Sequence, residues 1–264
     1  TMPLFSVRIS GVTVRLMSSR FLAIFLKQLQ LENASADVVL TCHHTINITT
    51  GEIKNWRCFP DEFDREYTME EVMSDWKKFD RSLTFHGITY RTQFYRENGV
   101  RLAEKVFYED HEYATYPCCL AKTILPLDMF VYEYRIGDVS QSVSAQNQFK
   151  RIDHTKMVIV KMLKNREDIS EQWALEYCDK KIHLLLLSFM VTSMLCDSDR
   201  KRGVARVDQL MSYIVKRDRH VVDMTLKHYK ILKLLNAAHV GLEGYNKMLN
   251  SKLYNKVRHN KSFE

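Results

Sequence analysis

The sequence predicts an α/β region followed by a mainly helical one, with the change near residue 140. Three observations predict it. Before residue 140, short apolar runs rich in β-branched and aromatic residues lie between turn signals. After it, Leu, Met, Ile and Val recur at helical spacing. Gly and Pro are scarce, at 8 and 4 of 264 residues, and that length supports one or two domains with substantial cores.

The elements follow in order. Val7, Ile9, Val12, Val14 and Leu16 alternate with polar neighbours apart from a break at Ser10-Gly11, which suits a strand as well as an amphipathic helix. The leading segment is Arg-bearing and poor in acids, as organellar transit peptides are, although that reading is not favoured. Residues 21–31 read as a helix. Residues 36–46 read as a buried strand that runs into a turn at Thr50-Gly51, in a β-ribbon.

Thr68-Met69-Glu70-Glu71 has the form of a capping box, for a helix through about Lys78. Residues 86–98 read as another helix, stopped by Gly99. Val106, Phe107 and Tyr108 read as a brief buried strand, and residues 111–120 as a helix capped by the preceding carboxylates. Residues 123–136 read as an extended strand or strand pair.

Beyond Gln141, Ser144 is a candidate cap, and Phe149, Ile152, Ile159 and Leu163 fall on one helical face. Further helices are expected over residues 170–196, 204–216 and 220–253, with polar breaks at 200–203 and 216–219. Residues 182–196 form the strongest apolar run. At 15 residues it is short of the ~20 needed to span a bilayer, so it is expected at the centre of a helical bundle. The domains expected are residues 1–140 and 141–264.

Charge is uneven along the chain. From Asp199 onward there are fifteen Lys and Arg against six Asp and Glu, so the whole-chain excess of +7 resides in the tail. Such a surface attracts anionic partners or is simply solvated. Nucleic acid is not expected, because Tyr213, Tyr229, Tyr245 and Tyr254 lie at helix-like intervals and form no stacking platform. The six cysteines include no Cys-x-x-Cys pair and no secretory leader precedes them, so a reduced cytoplasmic setting is the default expectation. Adjacent Cys118 and Cys119 read as helix packing residues, not a metal or redox pair.

The candidate chemistry centres on Glu109 and Asp110. They close the apolar run 106–108 just before a helix-like pattern, and two carboxylates at a strand end face a cleft. The plainer alternative is that Asp110 caps the helix while Glu109 is solvated.

Around this pair stands an ordered series: residues 82–95 (SLTFHGITYRTQFY), 96–100 (RENGV), Glu109-Asp110-His111-Glu112-Tyr113, Pro117, Ala121-Lys122-Thr123, Val131-Tyr132-Glu133-Tyr134-Arg135 and Gln141-Ser142-Val143-Ser144. By its order and spacing, this series resembles the C-terminal half of bacterial family-2 glycosyltransferases, from about Ala34 to about Lys164. The resemblance implies a partial GT-A-like, Rossmann-type domain ahead of the helical one, within a cytoplasmic protein of glycan or cell-envelope synthesis. It implies inverting transfer of a sugar from a nucleotide-sugar donor to a glycan or lipid-linked acceptor.

In such enzymes the acceptor hydroxyl gives its proton to a carboxylate base while a divalent metal, Mn or Mg, and nearby donors stabilise the leaving diphosphate. By position in the motif Asp110 is the base, and Glu109 shapes its field or holds the acceptor. His86, Tyr90 and Arg91 match the segment that lines the acceptor or diphosphate pocket, with Arg91 suited to bidentate phosphate contact. Their alternative roles are a helix start, a core ring and a surface ion pair. Arg135 and Gln141 match the region where similar enzymes close the cleft with a loop.

The Asp-x-Asp metal ligands of the intact family are not found in this chain, and no metal-ligating residue is assigned. Thr1 to Leu31 carries Arg8, Arg15, Arg20 and Lys27 and no acid, so most of the nucleotide-sugar-binding half is expected to be missing and activity reduced or absent. The basic tail suits an anionic membrane surface at the inner face of the cell membrane. The alternative reading is a non-catalytic helical interaction protein.

Overall fold

The computed structural model describes Lys27 and residues 35–57, 65–74, 83–137 and 145–251. The expected N-terminal strand, nearly all of the helix at 21–31, Cys58, Gln141 and the Ser144 cap lie outside the described residues. Among the described residues the content is mixed α/β, with one sheet and several helices. It divides into two compact units: Thr1–Ser144 with Met157–Lys181, and Ala145–Lys156 with Ile182–Glu264.

The first unit is built on β1 (Val38–Asn47) and β5 (Thr123–Ile136), which run parallel along most of their length. β1 begins with six consecutive buried residues, the signature of a strand covered on both faces. β2 (Ile53–Trp56) pairs antiparallel with the second half of β1, and β4 (Ile88–Tyr90) pairs antiparallel with its first half. β3 (Tyr67–Thr68) adds antiparallel to the start of β5.

Thr68 ends β3 and opens α1 (Met69–Ser74) through the expected capping box. Its Oγ1 accepts from Glu71 N at 3.1 Å, and Glu71 Oε2 accepts from Thr68 N at 2.7 Å. Because both bonds are local, Thr68→Ala is expected to cost about 1 kcal/mol in a denaturant melt.

Three expected elements differ in the structure. Residues 86–98 are not one helix: a turn at 84–87 leads into β4, and only Thr92–Glu97 is helical (α2). Pairing of Ile88, Thr89 and Tyr90 with Leu40, Val39 and Val38 outweighs the helical spacing. Gly87 permits it, because a Cβ there would meet the Thr41 carbonyl oxygen at 2.4 Å. Residues 106–108 form no strand either. Lys105 and Tyr108 have φ of 58° and 75°, which breaks any ladder, and Val106 is buried in irregular chain. The helix expected at 111–120 is two short ones, α3 (Asp110–Tyr113) and α4 (Tyr116–Leu120).

Asp37 ties these strands together. Its carboxylate accepts from Arg91 Nη2 at 2.6 Å and from Lys122 N at 2.9 Å, and its backbone carbonyl accepts from Arg91 N at 3.0 Å. Bonds to a buried carboxylate are stronger than neutral ones, which makes this a firm junction of β1, β4 and β5.

The remaining helices are α5 (Ala145–Lys150), α6 (Ile152–Arg166), α7 (Gln172–Cys196), α8 (Arg200–Val215), α9 (Arg219–Ala237) and α10 (Leu242–Leu249). In the second unit Ile182, Leu186, Phe189, Met190, Val207, Leu210, Ile214 and Val221 are buried. Residues 200–203 are the start of α8, not a break. Asp199 caps that helix by accepting from Arg202 N at 3.0 Å. Asp197, with its side chain 0% exposed, accepts from Arg202 Nη2 at 2.7 Å and Arg206 Nη2 at 3.1 Å. The Arg202 bond leads in holding its carboxyl below the usual range.

Residues 220–253 are also interrupted. His239 is left-handed, with φ 56°, and Val240 N donates to Leu235 O at 2.9 Å, closing α9 in the pattern usually completed by glycine. No helix among the described residues is long and apolar enough to cross a membrane.

Candidate active site

Glu109 and Asp110 sit where the irregular segment after α2 enters α3. Glu109 occupies the N-cap position but makes no side-chain capping bond, and Asp110 is the first helical residue. The expectation that the carboxylates cap this helix is therefore corrected for Glu109. The left-handed Tyr108 immediately before them is costly for an aromatic residue, and such backbone is typically held by surrounding structure near functional sites.

Both carboxylates line a cavity of about 420 Å³, together with Phe85, Arg101, Leu102, Ala103, Glu104 and Tyr113. Tyr113 is fixed by two bonds to β4: its hydroxyl donates to Ile88 O at 3.1 Å, and its carbonyl accepts from Tyr90 Oη at 2.7 Å. Phe85 comes from the turn before β4 and stands edge-on to Tyr132 of β5, with ring centroids 6.1 Å apart. The Asp110 charge also acts on Tyr132 and Tyr134, whose hydroxyl pKa values are raised first by burial.

His86 lies behind this wall, its ring centroid 4.4 Å from that of Tyr134 and 5.0 Å from those of Tyr132 and His43. Nδ1 pairs with Thr84 Oγ1 at 3.1 Å, whereas Nε2 is buried without a hydrogen-bond partner. Burial first, and His43 second, push its pKa down to about 3; His43 falls to about 4 through burial and then His44. Both imidazoles are therefore neutral in the fold at neutral pH and titrate near 6.5 when unfolded, so their contribution to stability is complete above pH 6.5 and is lost as pH falls through about 4 for His43 and about 3 for His86. The melting temperature is expected to drop across that window, and His86→Phe to flatten the drop.

The other expected site residues are placed differently. Tyr90 is a core ring: its hydroxyl bonds the Tyr113 carbonyl and lies 3.1 Å from Cys118 Sγ, and burial raises its pKa well above 10. Arg91 is joined to Asp37 at the strand junction. Arg135, exposed near the end of β5, is 3.5 Å from Glu133. Thus Glu109 and Asp110 meet at the cavity, while His86, behind Phe85, and Tyr90, Arg91 and Arg135 do not line it.

Sequence reasoning missed Phe85, Arg101 and the roles of Glu112, Tyr113, Tyr132 and Tyr134. The string Glu109-Asp110-His111-Glu112-Tyr113 signalled that a ring and a third carboxyl share a turn with the pair; nothing local marked Phe85 or Arg101. Cys118 is pushed up to about 11 and Cys119 well above 9, chiefly by burial, so both are unreactive packing thiols.

No protein-family model and no curated protein matches this chain. Among the described residues no group of three or more His, Cys, Asp or Glu side chains converges to hold a metal ion.

Proposed function

We propose that the cavity at Asp110 is the acceptor site of a family-2 type, GT-A-like glycosyltransferase, with Asp110 as general base. The observation that supports this most strongly is that the adjacent carboxylates open together into a cavity of about 420 Å³ flanked by Phe85, Tyr113 and Arg101. Aromatic rings offer flat apolar faces to the C–H faces of a sugar, while carboxylates accept from its hydroxyls.

In this reading a nucleotide sugar is the donor and a glycan or lipid-linked glycan the acceptor. Asp110 takes the proton of the attacking hydroxyl as its oxygen bonds the donor's anomeric carbon and the bond from that carbon to the diphosphate oxygen breaks, the nucleoside diphosphate leaving with the electron pair. Glu109 beside it offers a second carboxylate that accepts from the acceptor's hydroxyls. Arg101 supplies a fixed positive charge at the cavity rim. The basic residues after Asp199 hold the protein at an anionic membrane face, and an absence of binding to phosphatidylglycerol vesicles at low salt removes that part of the proposal.

The test is an assay of the full chain for transfer from common uridine, guanosine, cytidine and thymidine diphosphate sugars to a glycan panel, with and without manganese. Transfer that depends on Asp110 supports the proposal; no transfer from any donor overturns it for this chain.

A second reading is favoured by one observation. On α9, Leu234 is 71% exposed, with Ile231 and Leu226 also exposed, which suits a helical interaction protein.

A further inference from the structure

We propose that Glu112 is a positioning residue for the Asp110 cavity: its buried carboxyl fastens the Ala103 backbone, sets the wall formed by residues 101–104, and releases that wall on ionising. The inference deepens the acceptor-site reading and rests on it for its bearing on transfer.

The geometry is specific. Glu112 is only 1% exposed, an unusual environment for a carboxyl. Oε2 accepts from Ala103 N at 3.2 Å, and Oε1 is buried with no hydrogen-bond partner. Ala103 lines the cavity with Arg101, Leu102 and Glu104, while Asp110 and Tyr113, on the same short helix as Glu112, line it too. One carboxyl thus bridges the two sides of the cavity. Residues 101–108 contain no helix or strand, and Lys105 and Tyr108 hold left-handed backbone, so the segment has no ladder of its own to fix it.

Burial raises the Glu112 pKa to about 7. The Ala103 N–H and Lys161 of α6 oppose that rise, and Glu109 adds to it; Tyr95 of α2 faces the same carboxyl. Below pH 7 the neutral group sits in its dry site with Ala103 on one oxygen. Above it, a buried carboxylate holds one bond and leaves Oε1 unpaired. Water reaches that oxygen most readily by opening the weakly held 101–104 wall.

The sign is opposite to that of the histidines. The folded pKa lies above the ordinary 4.5, so this stabilisation is complete below pH 4.5 and is lost as pH rises through 7. A local readout is therefore needed, because the two effects overlap in a global melt.

Amide hydrogen exchange of peptides covering residues 101–107, corrected for intrinsic rate, should be followed in the full chain from about pH 5 to about pH 9. In the wild type, protection is expected to fall about tenfold or more around pH 7. Glu112→Gln keeps an oxygen for Ala103 N–H and gains no charge, so it is expected to stay protected throughout. Equal, pH-independent protection in both proteins overturns the proposal. Should the variant fail to fold, carbon-13 titration of the Glu112 carboxyl in the wild type decides: a midpoint near 7 supports the proposal, and one near 4.5 overturns it. Neither readout uses sugar transfer, so loss of the catalytic reading and loss of this coupling are separately visible.

Discussion

If the Asp110 cavity is the acceptor site proposed above, Asp110→Asn is expected to lower whatever sugar transfer the chain supports by about 10²–10⁴-fold while leaving the melting temperature unchanged. Asparagine keeps the shape of the side chain and removes its ability to take a proton. The carboxylate faces the cavity at the start of a four-residue helix, and the bonds that fix this corner are made by others, namely Tyr90, Tyr113 and Tyr177, whose hydroxyl donates to Ala114 O at 2.9 Å. A purely structural Asp110 predicts the reverse, a lower melt with transfer intact. Steady-state rates and melts on the same preparations separate the two. Glu109→Gln, which keeps a hydrogen-bonding oxygen and removes only the neighbouring charge, is expected to have a smaller effect on rate than Asp110→Asn.

The largest expected loss of stability is at Gly203. Alanine in a helix interior is normally better than glycine by about 1 kcal/mol. Here an added Cβ would lie 2.2 Å from the Ser193 carbonyl oxygen and 3.4 Å from Met194 Cα, so the close approach of α8 to α7 within the second unit depends on the missing side chain. The obstruction is backbone on a buried helix and has no rotamer with which to yield. Gly203→Ala is therefore expected to destabilise by about 3 kcal/mol, lowering the melting temperature by about 6–12 °C. Gly244→Ala is the control: its Cβ would meet only the Val240 Cγ1 methyl at 3.1 Å, and it is expected to be neutral or mildly stabilising. An unchanged melt for Gly203→Ala would show that α8 shifts at little cost.

Much of the architecture was legible where the relevant physics is short in range. The Thr68–Glu71 box forms from groups three residues apart, and both bonds are present. The continuous apolar start of β1 and the long extended run of β5 became the paired central strands. The apolar run at 182–196 lies within α7 with most of its large side chains buried. Glu109 and Asp110 were legible as a pair because adjacency in sequence guarantees adjacency in space.

Other features depended on partners distant in the chain. Residues 88–90 have a spacing compatible with a helix, and pairing with Val38, Val39 and Leu40 made them a strand. Residues 106–108 are apolar enough for a strand and found no ladder to join. His239 ends a periodic pattern that by itself runs on, because local backbone closure overrides hydrophobic period. Tyr90 and Arg91 have side chains suited to a binding pocket, yet Cys118, the Tyr113 carbonyl and Asp37 engage them first.

By itself, then, the sequence determined the mixed α/β composition, the Thr68 capping box, the two long strands, the helical second half and the carboxylate pair, since each rests on neighbours within a few residues. Only the tertiary structure decided that Phe85 and Arg101 meet that pair in one cavity, that the two imidazoles are held neutral, and that Glu112 is buried against Ala103. Those properties come from desolvation and from contacts between remote segments, and neither is encoded in any short stretch of residues.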